Sequence, residues 1–291
     1  MGTFAYPVCM RMFIDTDCGV DDALALAVIH SLSGVDVVGI TSTSGNTSAR
    51  QAASNAETVL EVMGNHIPVV CGPDPSKSFA PREAHGPDGL GGHGTAPVEP
   101  NCSDAATALR TFCEEAGGHD VLLCLGPLTN LASAKPASGP RIVAVGGAGI
   151  VGETDPGRDP NSQVDIAATT WVANNLSVDW VTINAGERVW LQESDFRSAS
   201  PAGRFLRAVH ESYGWHCAAR AGRTTWSPAA YDTLAAVVAT DPRIAGWEPV
   251  SASIDQTSLW GSSGGEHRML SEAVGAALIG RVRSAVTQAV S

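Results

Sequence analysis

Apolar and polar positions follow two different periods along this chain. Short continuous apolar runs at Met10–Ile14, Val35–Thr41, Pro68–Cys71, Val121–Leu125, Ile142–Val145 and Trp180–Ile183 read as strands. The stretches Asp22–Leu32, Ser48–Met63, Ala105–Glu115 and Ile166–Asn175 read as helices between them. Continuous apolar strands alternating with amphipathic helices predict an α/β fold, a mainly parallel open sheet with helices on both faces. After Gly186 the pattern turns helical, through Ala202–Ala221 and Tyr231–Thr240, which predicts a C-terminal helical cap. No internal repeat or linker interrupts the chain, so residues 1–291 read as one domain.

In an open parallel sheet, ligands bind at the carboxyl ends of the strands. The polar and Gly-rich segments fall there. Asp15 and Asp17 end the first strand, and Ser42–Asn46 follow the second. Leu125-Gly126-Pro127-Leu128-Thr129-Asn130 and Gly146-Gly147-Ala148-Gly149 follow two later strands. The Gly- and Pro-rich segment Gly72–Pro100 is long for a loop and is expected to act as a lid.

The first of these strand ends carries the strongest chemistry. Asp15, Asp17, Asp21 and Asp22 place four carboxylates in eight residues between an apolar strand and an apolar helix. Burying them unpaired is prohibitive, and a hard divalent cation with a taste for carboxylate oxygen resolves the conflict. A helix N-terminus alone explains Asp21 and Asp22 but not Asp15 and Asp17. An EF-hand loop fails because Leu26 stands where a bidentate Glu is needed. An aspartyl-nucleophile phosphatase shares Asp15-x-Asp17, but Gly19 stands where that class prefers Thr or Val.

Composition narrows the partners. Hydrophobic content of 44% and charged content of 16% fit a packed globular protein. A formal charge of −12 argues against a nucleic-acid backbone or an anionic membrane. No apolar run is long enough to span a bilayer, and the N-terminal residues lack the pattern of a secretory signal. Seven cysteines without paired spacing read as reduced, mostly buried thiols. Together these predict a cytoplasmic protein.

The segment Asp15–Leu26, DTDCGVDDALAL, closely resembles the N-terminal signature of the inosine–uridine-preferring nucleoside hydrolase family. The resemblance continues through Ser44-Gly45-Asn46, His85-Gly86-Pro87-Asp88-Gly89-Leu90-Gly91, Leu125–Asn130, Gly146-Gly147, Asn161 with Asp165, and Tyr231-Asp232. It implies a nucleoside-hydrolase-like fold and Ca²⁺-dependent hydrolysis of the N-glycosidic bond of a ribonucleoside to free base and ribose. It further implies that Asp17, Asp22 and Asp232 bind the metal through carboxylates and Leu125 through its backbone carbonyl. Asp21, Asn46 and Asn161 would hold ribose hydroxyls, and Asp17 would act as general base on metal-bound water. A homo-oligomer, dimer or tetramer, is implied by the same resemblance.

The chain departs from the family pattern once inside the acidic motif, at Cys18, and three times on the substrate side, at Tyr231, Glu153 and Asp159. Cys18 stands where the signature has Pro, and neighbouring carboxylates are expected to blunt any thiol reactivity. Tyr231 stands where the family commonly has the His that helps protonate the leaving base. Candidates for that acid are Tyr231, His85, His210, His216 or a water; Trp215 and Trp226 are candidates for stacking on the base. At the ribose 5′ end, Glu153 and Asp159 replace Asn and Glu, with Arg158 between them. Arg158 could receive an anionic 5′ group, or it could be a solvated loop charge pairing with Glu153 or Asp155. A rival from another class is a binding protein that keeps the metal and ribose ligands without leaving-group activation.

Overall fold

The protein is described by a computed structural model that covers residues 9–73, 83–97, 104–255 and 257–291. Its strands are β1 (Met10–Thr16), β2 (Val35–Ser42), β3 (Val69–Cys71), β4 (Val121–Cys124), β5 (Arg141–Val145), β6 (Gly149–Ile150), β7 (Val178–Val181), β8 (Trp247–Ile254), β9 (Leu259–Ser263) and β10 (His267–Leu270). Its helices are α1 (Val20–Ser31), α2 (Ala49–Val62), α3 (Ala105–Glu115), α4 (Thr129–Ala134), α5 (Pro160–Val164), α6 (Ile166–Asn175), α7 (Ile183–Gly186), α8 (Pro201–Arg220), α9 (Tyr231–Thr240) and α10 (Ala276–Val290).

One sheet runs in the order β3-β2-β1-β4-β5-β7-β10-β8-β9-β6. From β3 to β10 every neighbouring pair is parallel. The pairs β10–β8 and β8–β9 are antiparallel, and β6 closes the edge parallel to β9. The parallel core and its helices match the sequence reading. The antiparallel extension from β8 to β10 was not anticipated. Its residues, such as Glu248 and Ser251 in β8, alternate polar with apolar instead of running continuously apolar. Such a half-solvated strand has a weaker signature than a buried parallel one.

The central strands divide their side chains between two cores, as the two-residue period requires. Met12, Ile14, Leu123 and Val143 face the side covered by α1, α9 and α10, with α8 and α2 at its margin. Phe13, Leu122, Ile142 and Trp180 face the side covered by α3, α4 and α6. Helix α1 is buried almost all round, which explains its apolar Ala-Leu-Ala-Leu-Ala-Val-Ile run. Truncating a large side chain here, such as Leu123, is expected to cost roughly 2–5 kcal/mol. The described cysteines are all free thiols. No helix among the described residues is long and apolar enough to cross a membrane.

Candidate active site

The chain leaves β1 at Thr16 and enters α1 at Val20, so Asp17, Asp21 and Asp22 gather at one strand end and one helix N-terminus. A second N-terminus, that of α9, brings Asp232 to the same place. Both helix dipoles favour negative charge there. Carboxylate oxygens of Asp21, Asp22 and Asp232 lie within 4.8 Å of one another, and all three side chains are buried. Burial and mutual repulsion push the carboxyls of Asp22 and Asp232 above the usual range. Among the described residues, no arginine or lysine pairs with either. This donor set, hard oxygens with uncompensated charge, fits a divalent cation.

The surrounding residues are built to hold these carboxylates in place. Asp22 accepts from the Thr16 hydroxyl at 2.6 Å, the Gly19 amide at 2.9 Å and the Asn46 side chain at 3.0 Å. Asp17 accepts the Asn46 backbone amide at 2.6 Å. Gly45 lets that loop approach, since a Cβ there would stand 1.8 Å from an Asp17 carboxylate oxygen. Gly19 is equally confined, with Asn46 and His85 side chains where a Cβ would go. Asn161 donates to the carbonyls of Leu125 at 2.8 Å and Val145 at 3.0 Å, tying two strand ends together. Asp15, although part of the same acidic run, serves a different purpose. It accepts from Thr41 at 2.7 Å and Asn130 at 2.9 Å, and burial raises its pKa to about 7.

A cavity of about 420 Å³ opens over these groups. That volume lies within the range of small-molecule sites, roughly 300–1,000 Å³. Asp17, Asp21, Asn46, His85, Leu125, Arg158, Asn161, Tyr231 and Asp232 all line it, and Asp22 lies beneath with the other carboxylates. His85 belongs to the described part of the loop expected to form a lid; residues 74–82 and 98–100 of that loop lie outside the described residues. The Val20 amide donates to His85 Nδ1 at 3.1 Å, so Nε2 carries the ring proton in the neutral form.

Four expected substrate contacts do not reach this cavity. Glu153 accepts from the amides of Ile150 and Glu272, at 2.9 and 2.8 Å, and so ties the β6 loop to the C-terminal segment. Asp159 is fully buried, where it caps α5 and accepts from the Gly147 and Leu259 amides. Trp226 packs edge-on against Phe196 and lies under the Arg207 guanidinium. Trp215 is half exposed and bonded to Glu211.

Helix geometry explains Trp215. Tyr213, His216, Cys217 and Arg220 of α8 line the cavity at the spacing i, i+3, i+4, i+7. A residue two positions from Tyr213 lies about 200° round the helix and must face away. Tyr213 and Arg220 were missed by sequence reasoning, although this spacing was available as a signal. The Tyr213 hydroxyl donates to Asp21 at 3.0 Å and is kept protonated by burial. His210 faces the core, where burial lowers its pKa to about 4. Cys18 is buried among carboxylates that, with burial, push its thiol well above its ordinary range. Its φ of +30° is one a proline ring cannot adopt, so Cys does not simply replace the signature's Pro.

Arg158 is not a partner of Glu153, whose oxygens are engaged elsewhere, nor of Asp155, which accepts the Gly157 amide. It reaches Tyr231 Oη at 3.3 Å instead. Burial raises the Tyr231 hydroxyl well above its ordinary pKa, although Arg158 opposes the shift.

The fold and site together define an open α/β protein with a buried carboxylate cluster at the carboxyl ends of its strands. The chain belongs to the inosine-uridine preferring nucleoside hydrolase family, which it matches over residues 12–276. That family comprises metal-dependent hydrolases acting on N-glycosyl compounds. The chain is 32% identical to Uridine nucleosidase 1 of Arabidopsis thaliana over 200 residues, 64% of this chain and 60% of that protein. It is 31% identical to Probable uridine nucleosidase 1 of Oryza sativa subsp. japonica over 226 residues, 71% of this chain and 70% of that one. The chain thus spans less than two thirds of the Arabidopsis protein's length. Among solved structures, a plant nucleoside hydrolase, PpNRh1, superposes with a TM-score of 0.82 over 96% of this chain and 99% of that chain, at 24% identity.

Proposed function

We propose that the protein hydrolyses the N-glycosidic bond of a ribonucleoside, releasing free base and ribose, with Ca²⁺ as its metal. The observation that carries this reading is the convergence of buried carboxylates with Asn46 and Asn161 in one nucleoside-sized cavity. Asp17, Asp22, Asp232 and the Leu125 carbonyl would hold the cation, which supplies charge stabilisation and lowers the pKa of a coordinated water. Asp21 also lies in the cluster, where the Tyr213 hydroxyl donates to it, and it would hold a ribose hydroxyl. Asn46 and Asn161 bind the remaining hydroxyls of the sugar.

Asp17 acts as general base on the attacking water, in the position the Asn46 amide fixes. The negative wall stabilises an oxocarbenium-like transition state. For the leaving base, His85 is the stronger acid candidate. Its Nε2–H is set by the Val20 contact, whereas burial makes Tyr231 a reluctant proton donor. Tyr231 serves as a hydrogen-bonding group beside the base.

The test is release of base and ribose across a panel of purine and pyrimidine ribonucleosides, with and without chelator. Release that stops on chelation and returns with Ca²⁺ supports the reading. A protein that binds Ca²⁺ and nucleoside yet releases neither product refutes it and leaves a binding protein.

A further inference from the structure

The lining of the cavity also carries positive charge. Arg158, from the loop before α5, and Arg220, from the last turn of α8, both line it. They flank Glu187 at 3.9 Å and 3.8 Å, too far for a hydrogen bond. The Tyr231 hydroxyl, 3.5 Å from Glu187, completes the cluster. Two guanidiniums thus share one carboxylate through long contacts.

Their donors are largely unused. Among the described residues Arg158 donates only to Tyr231, and its buried Nε has no partner. Arg220 makes no side-chain hydrogen bond among them. Structural arginines of this protein look different. Arg141 bonds Asp179 at 2.6 Å and the carbonyls of Ala239 and Val238 at 2.9 and 3.2 Å. Arg283 grips Asp195 through two nitrogens at 2.8–3.0 Å. The two cavity arginines are held near each other, Arg158 partly buried and Arg220 exposed at the rim, without the partners that a structural role would supply. A second cavity of about 370 Å³ shares both of them and adds Arg188 and Arg223.

We propose that Arg158 and Arg220 form an anion subsite, and that the preferred substrate is a nucleoside carrying a negatively charged group. Guanidinium forks match phosphate and carboxylate oxygens, and two of them converging on one point favour an anion over a neutral group. Glu187 keeps the two arginines together in the free protein and yields its contacts to the incoming anion. The inference rests on the hydrolase reading for its reaction, but not for its binding. The group is either a phosphate at the sugar 5′ end or a carboxylate on the base, and the two are separable.

Calorimetric titration compares ribose 5-phosphate with ribose at fixed Ca²⁺. Steady-state assays compare uridine 5′-monophosphate with uridine, and orotidine with uridine. The expected result is a preference for the anionic member of roughly 10- to 100-fold, the range of a charge-assisted contact. A preference for the phosphates assigns the sugar end, and one for orotidine assigns the base end. Either preference should collapse in Arg158→Met and Arg220→Met, read as the ratio of anionic to neutral ligand. Glu187→Gln, which removes the competing carboxylate, should increase it. Equal affinities in every pair, or a preference that survives both arginine substitutions, overturns the subsite. Tight ribose 5-phosphate binding without turnover of any nucleoside supports the subsite while refuting the hydrolase reading.

Discussion

The carboxylate floor and the arginine wall of the cavity are built on opposite principles. The floor, Asp17, Asp21, Asp22 and Asp232, concentrates negative charge on two helix N-termini and a strand end. Each of its carboxylates is pinned by close neighbours such as Thr16, Asn46 or Tyr213, or by mutual crowding. The wall, Arg158, Arg220 and Tyr231 gathered about Glu187, has long contacts and unused donors. The floor carries the carboxylates of the family signature, and two departures from the family pattern, Arg158 and Tyr231, stand in the wall. A rigid floor suits a fixed reaction at the sugar, and a loosely paired wall leaves recognition open to the substrate.

Substitutions that damage the floor should have the largest effect. Asp17→Asn is expected to lower kcat on the order of 10²- to 10⁴-fold, the usual contribution of a general base. A loss under tenfold in steady-state assays would dissolve the distinction between floor and wall. Gly45→Ala tests the same floor without removing a charge. Its Cβ must displace the Asp17 carboxylate, so Ca²⁺ affinity measured by calorimetry should fall by roughly tenfold or more.

A smaller effect belongs to the wall's support. Helix α8 presents His216 to the cavity and buries His210, whose pKa falls from an ordinary 6.5 to about 4. The unfolded chain therefore takes up a proton that the folded chain refuses. Stability is complete above pH 6.5 and declines as pH falls towards 4, by about 3 kcal/mol in all. Urea midpoints across that window should fall less steeply in His210→Gln than in the parent.

The leaving-group side separates next. His85→Ala should reduce kcat by about 10²-fold and Tyr231→Phe by less than about tenfold. The reverse order would move the acid to the wall. Smallest of all, Trp215→Ala should leave kcat and KM within about twofold, because its ring points away from the cavity.

The sequence by itself determined the parallel core and the floor. Long apolar strands and helices announce themselves because both faces are buried, and α3, α6 and α9 begin and end where their periodicity placed them. Asp17, Asp21 and Asp22 were legible because four carboxylates in so short a run demand a physical explanation. Only the tertiary structure decided the wall. Arg158, Glu187 and Arg220 lie far apart along the chain and meet because the loop before α5, the end of α7 and the last turn of α8 converge on one cavity. Tertiary packing also turned Glu153 and Asp159 to bind backbone amides and pointed the indoles of Trp215 and Trp226 elsewhere. A local run of charge reveals its own problem, whereas a contact between distant segments exists only once the backbone has closed around it.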